Sequence, residues 1–444
     1  MSSFNSKGGV DWTPVPQTAL VIHPAKAGQG ALRTPQMRLE EAVGLAEALD
    51  LEVRDARVAP LRQATPATLF GKGKVEEMHA LVHELEVNVV VIDDALTPVQ
   101  QRNLEKAWEA KVLDRTGMIL EIFARRARTR EGRLQVELAR LGYERSRLVR
   151  TWTHLERQRG GFGVMGGPGE TQIETDRRLL ADKIGRLKKE LEEVRRTRTL
   201  QRDARKRAPY PTVALVGYTN AGKSTLFNRL TKAEVEARDM LFATLDPTLR
   251  IVALPGGRPA ILSDTVGFIS DLPHELVDAF RATLEEVQEA DVVLHVRDIS
   301  SEETEAQAED VRTVLKQLGA GEEGQTLIEV WNKIDNLDED GREALYARTR
   351  RSQETGDPMA VAVSAVTGEG CERLLGILAQ LVDDEAAIEA DLMPADGEAL
   401  AWLYRHGRVT RREDKPDGSL HLEVRLDPQA LGRFDRLYPG ARVG

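Results

Sequence analysis

The sequence predicts an α/β protein in four parts: a small parallel α/β sheet domain, a long antiparallel helical hairpin, a larger α/β domain and a small C-terminal α+β domain. Three observations predict it. Short apolar runs alternate with amphipathic helical stretches on either side of residues 125–207, the pattern of parallel strands covered by helices. Within 125–207, apolar residues step by three, four and seven, which is the seam of paired helices. The run Val213-Ala-Leu-Val216 leads into Gly217-Tyr218-Thr219-Asn220-Ala221-Gly222-Lys223-Ser224-Thr225 and then a helical pattern. That order of strand, glycine loop and helix gives G-x-x-x-x-G-K-[ST] its structural context.

Composition bounds the rest. A chain of 444 residues suggests about three domains. Its one cysteine, Cys371, excludes an internal disulfide and fits a reducing compartment; it reads as a small buried side chain. No signal-like segment and no run of about 18 apolar residues occurs, so a cytoplasmic protein with no membrane span is expected. The net charge of −10 is unevenly spread: Arg125 to Arg207 carries 24 Lys+Arg against 12 Asp+Glu, a surplus of 12 that leaves the remainder at −22. An acidic chain therefore contains a basic middle.

Taken in order, residues 1–17 read as a disordered leader, with Gly8-Gly9, Pro14 and Pro16. The N-terminal α/β domain, 18–124, is expected to run strand Thr18–His23, helix Met37–Leu49, strand Leu51–Val58, helix Val75–Leu85, strand Asn88–Asp93, helix Pro98–Ala110 and strand Val112-Leu113. Its loop Leu69-Phe-Gly-Lys-Gly-Lys74 reads as a solvated turn. The hairpin, 125–207, has seams at Leu134, Leu138, Leu141, Leu148, Trp152, Leu155 and at Ile173, Leu180, Ile184, Leu187, Leu191, Val194. Between them lies the glycine-rich tip Arg159–Gly169, with Phe162 and Met165. Arginines all around the seam, with a pliable apolar tip, suit folded RNA. The next domain spans 208–385. Residues 386–444 are read as an acidic helix, then the apolar stretch Ala399–Tyr404, a hairpin turn at Lys415-Pro-Asp-Gly418 and a strand His421–Leu426.

Residues 208–385 carry the chemistry. Backbone N–H groups of Gly217 to Thr225 would surround a phosphate, Lys223 would reach the β- and γ-phosphates, and the Ser224 hydroxyl would ligate Mg²⁺. Asp264-Thr265-Val266-Gly267 ends an apolar run, placing Asp264 to hold Mg²⁺ through water and the Gly267 N–H on the γ-phosphate. Phe242-Ala243-Thr244-Leu245-Asp246 lies where a switch loop belongs, with Thr244 preferred over Thr248 as the second Mg²⁺ hydroxyl. Asn332-Lys333-Ile334-Asp335 follows another apolar run. The Asp335 carboxylate can accept from N1–H and the 2-amino group of guanine, which adenine lacks; Asn332 can serve the other edge and the Lys333 stem can cover the ring. Ser364-Ala365-Val366 stands where a backbone N–H would meet guanine O6. The ordered set reads as a Ras-like P-loop GTPase domain with GTP/GDP and Mg²⁺ as ligands, and with Lys223, Thr244 and Gly267 in the catalytic roles.

These motifs resemble the translation-factor class of P-loop GTPases. More narrowly, Gly71-Lys-Gly-Lys74, Arg159-Gly-Gly161, Gly167-Pro-Gly-Glu-Thr-Gln172, Glu174-Thr-Asp-Arg-Arg178, Phe242–Asp246, and Asp264-Thr-Val-Gly-Phe268 with Leu272-Pro-His274 resemble the HflX family across nearly the whole chain from about residue 18. The resemblance implies a ribosome-associated GTPase that binds the large (50S) ribosomal subunit and its rRNA and splits stalled ribosomes under stress, with the glycine-rich tip approaching the peptidyl-transferase region. A monomer is expected. Asn220 matches an asparagine with which related GTPases bind K⁺; stabilising the loop is the equal alternative. Phe268 replaces the water-orienting glutamine of Ras-like enzymes, so slow intrinsic hydrolysis is expected until a partner orders the switches. Two alternatives stand beside this reading: a GTPase of ribosome assembly or another structured RNA, and a ribosome-binding factor whose GTPase is vestigial.

Overall fold

The computed structural model describes residues 17–26, 33–158, 168–206, 210–232, 241–242, 244–245, 247–271, 286–317, 319–320, 325–355, 359–382, 386–426 and 428–443. The expected leader and the hairpin tip from Arg159 to Gly167 lie outside the described residues.

The first sheet has the order β2-β1-β3-β4, all parallel, from β1 (Thr18–Lys26), β2 (Glu52–Leu61), β3 (Val89–Ile92) and β4 (Lys111–Asp114). Strand alternation sorts its two faces. Ala19, Val21, Val89 and Val91 face α1 (Pro35–Glu47) and α4 (Arg115–Arg126), whereas Leu20, Ile22, Val90 and Ile92 face α2 (Lys72–Glu84) and α3 (Pro98–Trp108). Each of these buried Val, Leu and Ile side chains contributes roughly 1.5–3 kcal/mol, and Ala19 less. The helices begin where the sequence satisfies their free N–H groups. Thr34 accepts from Met37 N–H ahead of α1, Thr97 and Gln100 form a capping box ahead of α3, and Asp114 accepts from Gly117 N–H ahead of α4. The Gly71–Lys74 motif is no mere turn: Lys72 begins α2, with Leu69 and Phe70 buried behind it.

α5 (Arg130–Gln158) and α6 (Pro168–Lys206) form the hairpin. Leu134, Leu141, Ile184, Leu187 and Leu191 share one apolar cluster, flanked by Leu138, Leu180 and Val194. The direction follows from two ion pairs. Arg130 meets Glu190 at 3.9 Å and Glu137 meets Lys183 at 2.7 Å, so ascending α5 descends α6. Asp114 anchors the hairpin midway along α5, accepting from Tyr143 Oη at 2.7 Å and from Arg147 at 3.1 Å. The expected seam positions Leu148, Trp152, Leu155 and Ile173 have side chains outside the described residues.

The second sheet runs β10-β9-β8-β5-β7-β6, from β5 (Thr212–Gly217), β6 (Thr248–Ala253), β7 (Pro259–Asp264), β8 (Val292–Asp298), β9 (Thr326–Asn332) and β10 (Ala360–Ala362). Only β6 is antiparallel, as the short turn to β7 requires. Around it lie α7 (Lys223–Thr231), α8 (Thr304–Gln317), α9 (Glu339–Thr355) and α10 (Cys371–Leu381). Cys371 is buried in the core, as expected of a small apolar side chain.

The C-terminal sheet is antiparallel, β12-β13-β11-β14, from β11 (Ala386–Leu392), β12 (Arg408–Asp414), β13 (Leu420–Leu426) and β14 (Arg442–Val443), with α11 (Gly397–His406) and α12 (Pro428–Leu437). The acidic helix expected after Glu385 is instead β11. Ile388, Ala390 and Leu392 are buried while Glu389 and Asp391 are exposed, a period of two that suits a strand. Pairing with Leu420–Leu426 decides the matter.

Candidate nucleotide-binding and hydrolysis site

The site forms where β5, β7, β9 and β10 end, the carboxyl edge of a mostly parallel sheet, where such folds bind ligands. β5 delivers Gly217, and α7 begins at Lys223, directing its first turn toward the loop between them. Two glycines there are steric necessities. A Cβ on Gly217 would lie 2.2 Å from Val296 O, and one on Gly222, at φ +91°, would lie 2.2 Å from Asn332 Nδ2.

Asn332 therefore differs from its expected role on the base edge. Its Nδ2 donates to Ala221 O at 2.8 Å, and its Oδ1 accepts from Ala365 N–H at 3.0 Å. It ties the phosphate loop to the segment Ser364-Ala365-Val366, of which Ser364 and Ala365 are buried and Val366 is exposed. Asp335 differs from Asn332: its Oδ1 is buried without a hydrogen-bond partner. Lys333, at φ +65°, pairs with Asp298 at 2.8 Å, and Ile334 is fully buried beneath the loop.

Three oxygens converge beside the loop. Ser224 Oγ lies 2.8 Å from Thr244 Oγ1 and 2.7 Å from Asp264 Oδ2, and Thr244 Oγ1 donates to Asp264 Oδ2 at 2.9 Å. The second oxygen of Asp264 is buried with no partner. Hard oxygens on a buried carboxylate and two hydroxyls fit Mg²⁺. Thr248, the other candidate hydroxyl, is the first residue of β6 and is placed opposite Asp264 in the ladder. Burial pushes the Asp264 carboxyl above its ordinary range, opposed by Lys223 and the two hydroxyls. Lys223 donates to Gly217 O at 3.1 Å and Tyr218 O at 2.8 Å; burial lowers it to about 8, with Asp264 opposing.

The other expected residues divide by environment. Thr265 is used within the fold, its hydroxyl donating to Leu215 O at 2.6 Å. Phe242, Leu245 and Val266 are buried in an apolar cluster shared with the N-terminal sheet. Asn220 is exposed in the left-handed region, at φ +59°, and Thr219 is buried with its hydroxyl unpartnered. Thr225 is half-buried in the first turn of α7. Ala243 and Asp246 lie outside the described residues. Gly267 packs against Thr219 and Lys223, where a Cβ would come within 2.9 Å of Thr219 Cγ2.

Sequence reasoning missed the N-terminal contribution to this site. Phe242 meets Phe123 of α4 edge to face at 4.6 Å, and Gly44 of α1 leaves room for Leu241. The Tyr218 hydroxyl reaches Glu41, Arg115 reaches Ser270, and Arg38 pairs with Asp271 at 2.9 Å. Arg33 pairs with Asp310 at 2.7 Å and lies 5.4 Å from the Tyr218 ring centroid. Every partner lies far away in sequence, so no local pattern could have found them.

Comparison with known proteins follows the same division of the chain. Residues 36–124 match the family model described as GTP-binding GTPase N-terminal, 126–205 the GTP-binding GTPase Middle Region, 212–333 the 50S ribosome-binding GTPase and 348–440 the HflX C-terminal domain. The GTPase HflX of Magnetococcus marinus is 54% identical over 400 residues, covering 90% of each chain. That of Escherichia coli is 45% identical over 389 residues, covering 87% of this chain and 89% of its own. The crystal structure of SsGBP with GDP, 25% identical, covers 82% of this chain and 98% of its own at a TM-score of 0.49, a likeness that carries no argument about the site. With family models matched along its length and relatives 45–54% identical over most of both chains, the chain belongs to the HflX family of GTPases.

Proposed function

We propose that this GTPase is a switch that binds the large ribosomal subunit in its GTP state, dissociates stalled ribosomes under stress and leaves on hydrolysis. The observation that carries the reading is a basic hairpin joined to the switch segments through one N-terminal domain. The middle of α5 is held by Asp114 at the end of β4, and the next residue, Arg115, bonds Ser270 beyond the D-x-x-G turn. A surface suited to RNA phosphates is thus mechanically continuous with residues that respond to the γ-phosphate.

Within the site, Lys223 neutralises phosphate charge, Asp335 selects guanine and the Gly267 N–H faces the terminal phosphate. Ser224 and Thr244 would ligate Mg²⁺ directly and Asp264 through water; the ion neutralises phosphate charge when bound. Phe268 is buried and cannot hydrogen-bond a water, so hydrolysis is slow until a partner orders the site. Asn220, exposed beside the loop, is positioned to recruit K⁺. The protein acts as a cytoplasmic monomer in this reading. Among the described residues no helix is long and apolar enough to cross a membrane.

The test is steady-state GTP hydrolysis in K⁺ or Na⁺, with and without purified large subunits. Strong stimulation by the subunit is expected, greater in K⁺. Intact GTP binding without stimulation would favour another structured RNA or a vestigial GTPase. Neutralising the exposed Arg178, Arg186, Lys188 and Lys189 should weaken subunit binding and reduce the slope of log K against log salt by up to about 0.7–0.9 for each phosphate no longer neutralised. An unchanged slope would leave these residues as ordinary surface.

A further inference from the structure

We propose that Tyr218 and Glu41 are positioning residues through which the docked N-terminal domain holds the segment after Gly267 and so favours GTP over GDP. The inference rests on the GTPase site alone and does not need the ribosome.

The segment is fastened to the phosphate loop by three hydrogen bonds. Phe268 N–H donates to Gly217 O at 3.0 Å, Thr219 N–H donates to Phe268 O at 2.7 Å, and Ser270 N–H donates to the Tyr218 hydroxyl at 2.8 Å. The first two bonds are internal to the G-domain. The third depends on the other domain, because a phenol has one proton to give and Tyr218 gives it to Glu41 Oε1 on α1. Burial and the neighbouring Glu41 push the phenol pKa upward, which keeps that proton in place.

Glu41 is a hub of acceptors. Its Oε2 receives Ser270 Oγ–H at 2.8 Å and Arg115 Nη2 at 2.6 Å, while Arg115 also donates to Ser270 O at 3.0 Å. Arg115 is fixed from behind by Asp93 at 2.5 Å, and Asp93 by His23 at 2.8 Å. Tyr218, Ser270, Arg115, Asp93 and His23 are all buried. Displacing Ser270 would strip partners from a buried guanidinium and carboxylate, a costly change because neither is re-solvated.

The same docked arrangement accompanies the closed triangle of Ser224, Thr244 and Asp264, and Phe242, two residues before Thr244, packs on Phe123. Loss of a γ-phosphate loosens such segments. A domain that binds the closed form in preference to the loosened form raises the affinity for the nucleotide that closes it, and the coupling is reciprocal. Docking and GTP therefore support each other.

Two variants of the full chain test this. In Glu41→Gln an amide nitrogen replaces one of two acceptor oxygens facing three donors; Tyr218→Phe removes a single oxygen and keeps the ring in the core. Affinities for GDP and for a non-hydrolysable GTP analogue are measured by calorimetry, together with amide exchange over 268–271. Each variant should lower the ratio of GTP-analogue to GDP affinity about tenfold. The double variant should lower it no further, and analogue-dependent protection of 268–271 should disappear. An unchanged ratio, equal loss of both affinities or additive effects would overturn the proposal. Should Glu41→Gln fail to fold, the ratio and exchange in Tyr218→Phe decide alone.

Discussion

Lys223 is held by carbonyls of the loop it serves, with its ammonium buried between Gly217 O and Tyr218 O. Nucleotide phosphates offer the same group charged partners in place of neutral ones. Two charge-assisted hydrogen bonds are worth roughly 1.5–3 kcal/mol each, so Lys223→Ala should lower GTP affinity by on the order of 10²–10⁴, read by equilibrium titration. Unchanged affinity would count against the whole site. Asp335 offers a different test, since its buried Oδ1 has no partner within the protein. Asp335→Asn should weaken GTP binding by about tenfold or more, the scale of one charged hydrogen bond, and lower the preference for GTP over ATP in competition assays. These residues are legible in sequence because each motif joins a chemical group to a strand end. Asn332 is legible as a motif member but not in its role. The sequence shows that its amide can bond, and only the fold shows that Ala221 and Ala365 consume both ends.

Among the elements, strands and helices of the N-terminal sheet follow apolar periodicity closely, because each face meets its own pair of helices. β11 reads as a helix in sequence because its acidic alternation has short reach, and the partner that makes it a strand lies on β13. α4 goes unassigned in the sequence although its buried Met118, Ile119, Ile122 and Phe123 recur at helical spacing, because it follows β4 directly with no turn signal between them. The hairpin seam invites a stability test. Leu187→Ala leaves a cavity in a narrow cluster and should cost about 2–5 kcal/mol of local stability, seen as faster amide exchange in α6 with the G-domain unaffected. β8 invites a test of pH. His295 is buried, with Nδ1 unpartnered, and burial holds its pKa below the ordinary value, against the pull of Glu329. A depressed pKa means the unfolded chain takes up the proton first. The stability is fully present above about 6.5, the unfolded value, and is lost as pH falls toward the folded pKa. Thermal unfolding should therefore shift to lower temperature between pH 7 and pH 5, and His295→Phe should flatten that slope. A slope unaltered by the substitution would place the titration elsewhere.

Across the whole molecule, the apolar cluster of the N-terminal sheet continues without a break into residues of both switch segments, including Phe242, Leu245, Val266 and Phe268. Nothing in the order of residues announces this, for the hydrogen bonds across the same boundary join stretches up to 277 positions apart. Fold class and nucleotide chemistry depend on local strand, loop and helix signals and are readable; domain docking depends on surfaces and is not. The same distance governs how the protein can change over generations. Any side chain at position 222 would collide with the Asn332 amide, whose bond to Ala221 O spans 111 residues. Phosphate loop and base loop thus constrain one another as a lock constrains its key: a lineage can alter one only by altering the other, so the two signatures should be inherited, lost or exchanged together.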